Sequence, residues 1–478
     1  MLQSKLVSGL SLVATVLLLV MGAGVWLGTP LLALQQANVT AAWPAALAVG
    51  IGVAGAVWAV RRLALAAAGR LADSLLRCSD RQWWLALLAG GVVLRLAWML
   101  LFPAVPASDG ATYLQLAELL AAGKPYEIAG TRAYWPPGYA FFLVPWLSLP
   151  VPRALAIALA NLLLYAATVS VVLRLGRLAV GERGARLASL LVALWPTLVA
   201  SAGLPEKETL LVLLLPLSIW LYLRHGRSAS GALPAGLILG AAALVQPSLM
   251  LYMSVFACAE LLYRSTWRGA ALRLSLLLLG MAIAVAPWAL RNDRLFDGKV
   301  FIASNGGDNF YRANNPLATG GYTLRGEVDL AAYREAERSA AGFDLAKAWI
   351  RSHPEQFLAL VLEKQLRFLG DDSTGVYASL RRGGGAGSHT YLAWKAVANA
   401  FWYAAWLIML LGWWRRRGLP ASPALTMLTL GYAYFFVLHS VFESNGKYHV
   451  PAVALLAILV AALAAPERTE PITRQAPV

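Results

Sequence analysis

The sequence predicts an all-α, polytopic membrane protein. Of its 478 residues, 59% are hydrophobic and only 13% are charged, which is more apolar surface than the core of a soluble domain can bury. Apolar runs near the length needed to cross about 30 Å of hydrocarbon recur through most of the chain. Because a helix satisfies its backbone hydrogen bonds within one segment, we expect these runs to be transmembrane helices.

Roughly twelve spans are predicted from these runs. The first run, Leu6 to Leu34, is too long for the apolar core of a signal peptide and is interpreted as a retained span. Phe141 to Leu149 is too short to cross and is placed along the outer membrane interface. The predicted spans lie near residues 7–33, 42–60, 84–103, 153–173, 187–203, 207–223, 232–246, 248–263, 271–290, 391–414, 423–442 and 449–464.

The basic residues set the expected orientation. The net charge of +16 comes from short clusters between apolar runs, which is typical of cytoplasmic loops and argues against a nucleic-acid-binding surface. Arginine clusters within 61–81, 174–186 and 415–417 all fall on one side, so both termini are expected in the cytoplasm. The polar segments, 109–139, 205–207, 291–389 and 443–448, then lie at the extracytoplasmic face.

Four regions follow from this arrangement. Residues 1–83 hold two extra N-terminal transmembrane helices and a cytoplasmic loop, and 84–290 form a transmembrane core whose first extracytoplasmic loop is 104–152. Residues 291–390 form an extracytoplasmic loop domain with helical patterns over 330–368 and a flexible RRGGGAG linker at its end. Residues 391–478 supply C-terminal transmembrane helices and a cytoplasmic tail.

Metal and disulfide chemistry have no support in the sequence. The two cysteines, Cys78 and Cys258, form no CxxC pair, and no His-rich ligand spacing accompanies them. We therefore expect no disulfide framework, no metal and no cofactor.

The segment from Asp109 to Tyr139 is the one long polar stretch in the first half of the chain. Asp109 follows an apolar span within a few residues, where a carboxylate can take the proton of an attacking hydroxyl as a general base. The alternative is a helix cap, because Ser108 or Asp109 also suits the N-cap position of the helix that follows.

Three further segments place polar groups at the same predicted face. Pro205-Glu206-Lys207 lies between two spans, where the acid and the base belong to a site or, in the alternative, Glu206 and Glu208 favour a helix N-terminus. Arg291, Arg312 and Arg325 lie in or before an Asn- and Gly-rich segment that suits phosphate binding, although Arg291 can also be a snorkelling interface anchor. The last outer turn carries His439, Glu443, Lys447, Tyr448 and His449, and a solvated hairpin is its alternative.

Taken in order, these segments resemble the GT-C superfamily of membrane glycosyltransferases, specifically bacterial proteins of the protein O-mannosyltransferase (glycosyltransferase family 39) and lipid A aminoarabinose transferase type. The resemblance covers about residues 84–464. It is carried by Asp109 with Tyr113, Gly123-Lys124-Pro125-Tyr126, Trp135-Pro136-Pro137-Gly138-Tyr139, Pro205-Glu206, the segment from Gly240 to Pro247, Pro287-Trp288 to Arg291-Asn292, the loop from Ser304 to Tyr322, and the closing ESNGKYHVP.

The resemblance implies inverting transfer of a sugar from a polyprenyl-phosphate donor to a lipid, glycan or protein acceptor at the outer face of a bacterial plasma membrane. It implies that Asp109 is the general base and that Glu206 is a second catalytic acid. The residues implied to bind the donor phosphate or the acceptor are Tyr113, Lys124, Arg132, Tyr139, Lys207, Arg291, Asn305, Arg312, Asn315, His439, Glu443, Lys447 and Tyr448.

The chain departs from the family pattern at three points. Tyr134-Trp135 stand where aminoarabinose transferases carry an acidic-basic pair, Gln246 stands where a basic residue is usual, and Lys447 stands where Arg is commoner. These departures bear on the acceptor and on the phosphate contacts. Two other functions stay open: a transporter or flippase of lipid-linked glycans, and an enzyme like the O-antigen ligases or polymerases, which use a diphosphate-linked glycan.

Overall fold

The computed structural model describes residues 2–36, 40–226, 228–263, 266–323, 326–416 and 422–465, so Arg325 and Arg417 lie outside the described residues. The first half of the chain contains α1 (Leu2–Gln36), α2 (Ala42–Leu75), α3 (Asp80–Leu101), α4 (Asp109–Ala121), α5 (Gly138–Leu147), α6 (Arg153–Leu194), α7 (Pro196–Ala200), α8 (Lys207–Leu223) and α9 (Ala232–Val245). The second half contains α10 (Met253–Tyr263), α11 (Trp267–Phe296), α12 (Gly306–Ala313), α13 (Glu335–Ser352), α14 (Pro354–Leu369), α15 (Thr374–Tyr377), α16 (Ser388–Arg416), α17 (Pro423–Val441) and α18 (Val453–Ala464).

The predicted all-α membrane fold is confirmed, since the described residues contain no β-strand beyond one isolated bridge between Ile128 and Thr131. Eight helices in the described chain are long and apolar enough to cross a membrane, fewer than the roughly twelve predicted. The difference arises where predicted spans form short helices, such as α8, α9 and α10 with 17, 14 and 11 residues. Mean hydropathy alone does not separate short buried helices from spans.

Helix α6 contains a sharp reversal that explains its length of 42 residues. Gly181 has φ 72° and ψ 178°, which is not helical and which glycine adopts without a Cβ penalty. A Cβ on Gly176 would lie 2.8 Å from the Cα of Ala185, so the two arms pack against each other as a hairpin. The predicted spans near 153–173 and 187–203 are thus two arms of one element, the second ending at Leu194 before Pro196 starts α7.

The arginine-rich segments gather at one end of the bundle. Arg183 in the α6 turn pairs with Asp73 of α2 at 2.8 Å, and Arg177 pairs with Asp80 at the start of α3 at 2.9 Å. Helix α3 has 22 residues, or about 33 Å, and leads to the opposite end, where Asp109 begins α4. We refer to these as the arginine end and the Asp109 end.

Close helix packing relies on small residues, as expected where lipid removes the hydrophobic advantage of helix association. A Cβ on Gly236 of α9 would lie 2.0 Å from the carbonyl oxygen of Leu277 in α11, and one on Gly280 would lie 2.3 Å from that of Leu233. Helix α18 is apolar on every side and is buried along its whole length between α6, α16 and α17. It connects the last polar turn at the Asp109 end to the arginine end.

Candidate active site

Three separate segments meet at the Asp109 end. Asp109 is the first residue of α4, and Glu206 precedes the first residue of α8. The two helix starts are in close contact, because a Cβ on Gly110 would lie 2.9 Å from the carbonyl oxygen of Pro205. The third segment is the turn that carries Lys447, whose backbone N–H donates to the Asn445 side chain at 2.8 Å.

Lys447 is the centre of this site. Its Nζ lies 2.9 Å from Asp109 Oδ2, 3.6 Å from Glu208 Oε1 and 3.7 Å from Glu206 Oε2. Arg382 also donates to Glu206. One ammonium group therefore balances carboxylates from two segments of the chain, and we call Asp109, Glu206, Glu208, Arg382 and Lys447 the carboxylate cluster.

Asp109 is the accessible member of the carboxylate cluster. Its side chain is 39% exposed, against 10% for Glu206 and 6% for Glu208. Only one of its oxygens is hydrogen-bonded within the described chain, so the second can accept a proton from a ligand. The preceding Ser108 has φ 54° and makes no capping bond, so the capping alternative is wrong for that side chain.

The surroundings of Asp109 and Glu206, the two acids that the sequence predicted at the site, shift their pKa values in opposite directions. Lys447 is the main cause that lowers the pKa of Asp109 to about 2, against the effect of burial, and the charges of Lys207 and Arg382 act in the same direction. Burial raises the pKa of Glu206 even though Lys447 and Arg382 lie beside it. At neutral pH Asp109 is therefore ionised.

Lys207 differs from the other cations of the site. Its side chain is partly buried at the first position of α8, and it forms no ion pair within 4 Å among the described residues. Burial lowers the pKa of its ammonium, and the charge of the adjacent Glu208 carboxylate opposes that effect. A cation without a carboxylate partner beside a reachable acid is available to an anionic ligand.

A second polar network lies beside the carboxylate cluster. The Tyr134 hydroxyl donates to Asp308 at 2.9 Å, and Arg338 pairs with the same carboxylate at 2.6 Å. Arg312 lies 3.7 Å from Glu443, which accepts a 2.6 Å bond from the Tyr448 hydroxyl. Since Tyr448 follows Lys447, this network joins the loop domain to the cluster.

The pKa values of this network are shifted mainly by burial. Burial, reinforced by Asp308, raises the pKa of Tyr134 to about 12. Burial also raises the pKa of Glu443, although Arg312 and Tyr448 oppose that effect. Both groups are therefore biased toward their protonated forms.

A buried Asp–His pair fixes the turn that presents Lys447. His449 Nδ1 lies 2.6 Å from the carbonyl oxygen of Phe368 and Nε2 lies 2.9 Å from Asp372, with both side chains fully buried. Trp402 stacks on the imidazole with ring centroids 4.3 Å apart. Gly446 leaves no room for a side chain, because its Cβ would lie 1.9 Å from the carbonyl oxygen of Asp371.

Several predicted site residues have structural partners instead of free polar groups. Arg291 donates to the carbonyl of Arg132 at 3.0 Å and stacks on Trp288 at 4.2 Å, while Arg132 pairs with Glu127 at 2.9 Å. Lys124 is exposed and belongs to neither polar group. These contacts shape the first loop.

The other predicted residues support the surrounding turns and rings. Asn315 closes its own turn by accepting from Leu317 N at 2.8 Å, and Asn305 is partly buried before α12. His439 bonds through Nδ1 to the Glu443 carbonyl at 2.7 Å. The buried rings of Tyr113 and Tyr139 pack edge to face at 5.6 Å.

Sequence reasoning did not assign Glu208, Arg382, Asp308 or Arg338 to the site. Glu208 follows Lys207 directly, so the acidic pattern around that lysine was the available signal. Arg382 lies in the segment expected to be a flexible linker, and that expectation is wrong for its first residues, which form a short π-helical turn over Ala378–Arg382. The ion pair with Glu206 fixes the position of Arg382.

Comparisons with known proteins give structural similarity without sequence matches. No protein-family model matches the chain, and no curated protein does. The archaeal oligosaccharyltransferase AglB from Archaeoglobus fulgidus, in complex with an inhibitory peptide and a dolichol-phosphate, aligns with a TM-score of 0.45 and 14% identity over 80% of this chain and 50% of that one. ArnT from Cupriavidus metallidurans, bound to undecaprenyl phosphate, aligns with a TM-score of 0.39 and 18% identity over 80% and 78%.

The chain spans about half the length of AglB. The helical membrane architecture of the present chain is established by its own described helices, independently of these comparisons.

Proposed function

We propose that this protein is an integral membrane glycosyltransferase that moves a sugar from a polyprenyl-phosphate donor to an acceptor hydroxyl, with Asp109 as general base. The observation that carries the proposal is the carboxylate cluster, in which one reachable, ionised carboxylate lies beside buried cations at the end of a membrane bundle. A lipid-linked substrate presents its phosphate and sugar at the membrane surface, where the end of such a bundle lies. The proposed site residues come from segments that are far apart in the sequence and are brought together by the fold.

The reaction is a single displacement. The acceptor oxygen forms a bond to the anomeric carbon as its proton passes to the free oxygen of Asp109, and the bond between that carbon and the phosphate oxygen breaks. The electron pair leaves with the polyprenyl phosphate. Attack from the face opposite the leaving group inverts the anomeric centre.

Cations at the site stabilise the charge that develops on the leaving phosphate. Lys207 forms no carboxylate pair in the described chain, and Lys447 lies at hydrogen-bond distance from Asp109. Fixed cations aimed at a developing charge in a site with little water are worth more than the same groups in bulk water. We assign the donor phosphate to these two lysines, with Arg312 and Tyr448 toward the acceptor.

Donor binding also adjusts the basicity of Asp109. A carboxylate with a pKa of about 2 is ionised but is a weak base. Because Lys447 is the main cause of that low pKa, a donor phosphate that shares its ammonium raises the pKa of Asp109 in the complex. The base then becomes stronger only when the donor is in place.

Glu206 has a different role from the one implied by the resemblance. Its carboxylate is buried and engaged by Arg382 and Lys447, so it does not reach a substrate. We propose that it positions these two cations.

The departure at Tyr134 fits an acceptor other than lipid A, since this hydroxyl is engaged by Asp308.

The proposed location is a bacterial plasma membrane with the Asp109 end at the extracytoplasmic face. The arginine end carries Arg177, Arg183 and Arg186, and positive residues favour the cytoplasmic side. The carboxylate cluster lies about 33 Å away along α3, at the other membrane surface.

The test is transfer of radiolabel from a panel of polyprenyl-phosphate sugars by the purified protein in proteoliposomes, with separate recovery of lipid, glycan and protein fractions. We expect label in one acceptor fraction, a strong loss with Lys207→Gln, and wild-type transfer with the control Lys347→Gln, a lysine of the loop domain whose side chain is 53% exposed. Labelled donor that crosses the bilayer without any transfer would refute the proposal and favour a flippase. Transfer only from diphosphate-linked glycans would favour a ligase or polymerase.

A further inference from the structure

A groove lined by arginine and tryptophan lies between α2 and α16, far from the carboxylate cluster. Helix α16 starts at the Asp109 end, where Lys395 pairs with Asp371 at 3.3 Å. Trp413 comes 18 residues later in the same helix, about 27 Å along its axis. A Cβ on Gly412 would lie 2.5 Å from the carbonyl oxygen of Leu463, at the end of α18, which places the groove at the arginine end.

The groove has the size of a ligand site. Its volume is about 940 Å³, and its walls include Trp58, Arg61 and Arg62 from α2 and Trp414 and Arg415 from α16. The rings of Trp58 and Trp414 meet edge to face at 5.7 Å, and both are exposed, at 47% and 62%. Two large exposed indoles on facing helices are typical of the level where a bilayer changes from tails to head groups.

The charge on these walls has one sign. Among the residues that the structure describes, three arginines and no carboxylate line the groove. Arg61 stacks on Trp58 at 3.8 Å, and Arg62 and Arg415 form no ion pair within 4 Å among the described residues. Guanidinium groups without carboxylate partners fit phosphate oxygens in a forked geometry.

The helix that forms one wall of the groove, α2, is largely exposed. Only 11% of the most apolar window of α2 is buried within the protein, so most of this helix is available to acyl chains. A ligand that fits both the arginine-lined walls and the exposed apolar part of α2 has an anionic head group and apolar tails. A free phosphate would use the arginines alone and leave the indoles uncovered.

We propose that this groove binds an anionic phospholipid, with its phosphate on Arg61, Arg62 and Arg415 and its acyl chains along α2. The site is independent of sugar transfer and gives α2 a function as one wall of a lipid-binding groove. Charge complementarity selects anionic over zwitterionic lipid at this position.

The test measures binding of short-chain phosphatidylglycerol, short-chain phosphatidylcholine and inorganic phosphate to the full-length protein in detergent. We expect the affinity for phosphatidylglycerol to exceed that for phosphatidylcholine by about tenfold or more, and inorganic phosphate not to compete. The variant Arg61→Gln/Arg62→Gln/Arg415→Gln should lose about tenfold or more of that affinity. The control Arg70→Gln/Arg77→Gln/Arg81→Gln removes equal charge from exposed arginines outside the groove and should bind as wild type.

A second measurement does not depend on the variants folding. A photoactivatable phosphatidylglycerol bound to the wild-type protein should crosslink within residues 58–66 and 411–415. Equal affinity of the groove and control variants, equal affinity for both lipids, tight binding of inorganic phosphate, or crosslinks spread over the whole membrane surface would each overturn the proposal.

Discussion

The replacement Lys447→Gln removes the positive charge at the centre of the carboxylate cluster. Its Nζ lies within 3.7 Å of three carboxylates, and its side chain is 12% exposed. Removing one partner of a buried ion pair costs about 3–5 kcal/mol, because the remaining charge loses its compensation. We expect about 3 kcal/mol, the lower end, since Arg382 still pairs with Glu206 and Asp109 faces solvent.

The same replacement removes a cation from the proposed leaving phosphate. Loss of one such electrostatic contact lowers turnover by about 10²–10³-fold. Thermal unfolding in detergent measures the stability loss, and transfer at saturating donor measures the turnover loss. Lys395→Gln is the control for loss of a buried lysine, because Lys395 is 15% exposed and pairs with Asp371, which is not a member of the carboxylate cluster.

The pH dependence of stability gives this prediction a second readout. The folded-state pKa of Asp109 lies near 2, below its ordinary value of 3.8, so Asp109 contributes stability above about pH 4 that is lost as the pH falls toward 2. Lys447→Gln should flatten this part of the profile, since Lys447 is the main cause of the low pKa. Wild-type unfolding, wild-type turnover and an unchanged acid limb would refute the reasoning.

Three other changes test separate parts of the site. Gly446→Ala should displace the Lys447 turn and lower turnover, since its Cβ would lie 1.9 Å from the Asp371 carbonyl oxygen, whereas Gly385→Ala, with open space around its Cβ, should behave as wild type. Equal activity of these two variants would contradict the account of the turn. Arg382→Gln should raise the pKa of Glu206 further, which infrared titration of the carboxyl band reports, and an unshifted band would argue against that ion pair. Dialysis against EDTA should leave transfer unchanged because the central ammonium already balances the carboxylates, and restoration of a lost activity by Mg²⁺ or Mn²⁺ would refute that assignment.

The sequence predicted the segments of the site better than the contacts inside it. Asp109, Glu206 and Lys447 each lie next to the end of an apolar run, and the lengths of those runs bring them to one end of the helical bundle. The helical class followed from the apolar composition, because a segment that crosses a membrane must satisfy its backbone hydrogen bonds internally. The span count was less predictable, because short apolar helices such as α9 pack inside the bundle with the composition of a span.

Contacts between distant residues account for most of what sequence reasoning missed. Arg382 and Glu206 are 176 positions apart, and Tyr134 and Asp308 are 174 apart. No local pattern specifies such pairs. Arg291 illustrates the converse, since its position suited phosphate binding while its donors bond to backbone carbonyls of the first loop.

The most direct test of the central claim compares sugar transfer by the wild-type protein and Asp109→Asn at saturating donor, with donor binding measured in parallel. The matched control is Asp344→Asn, whose carboxylate is 79% exposed and lies in the loop domain. We predict that Asp109→Asn binds the donor and loses about 10²–10⁴-fold in turnover, because the amide cannot take the proton of the acceptor. Turnover close to the wild-type rate in Asp109→Asn would contradict the assignment of Asp109 as the general base.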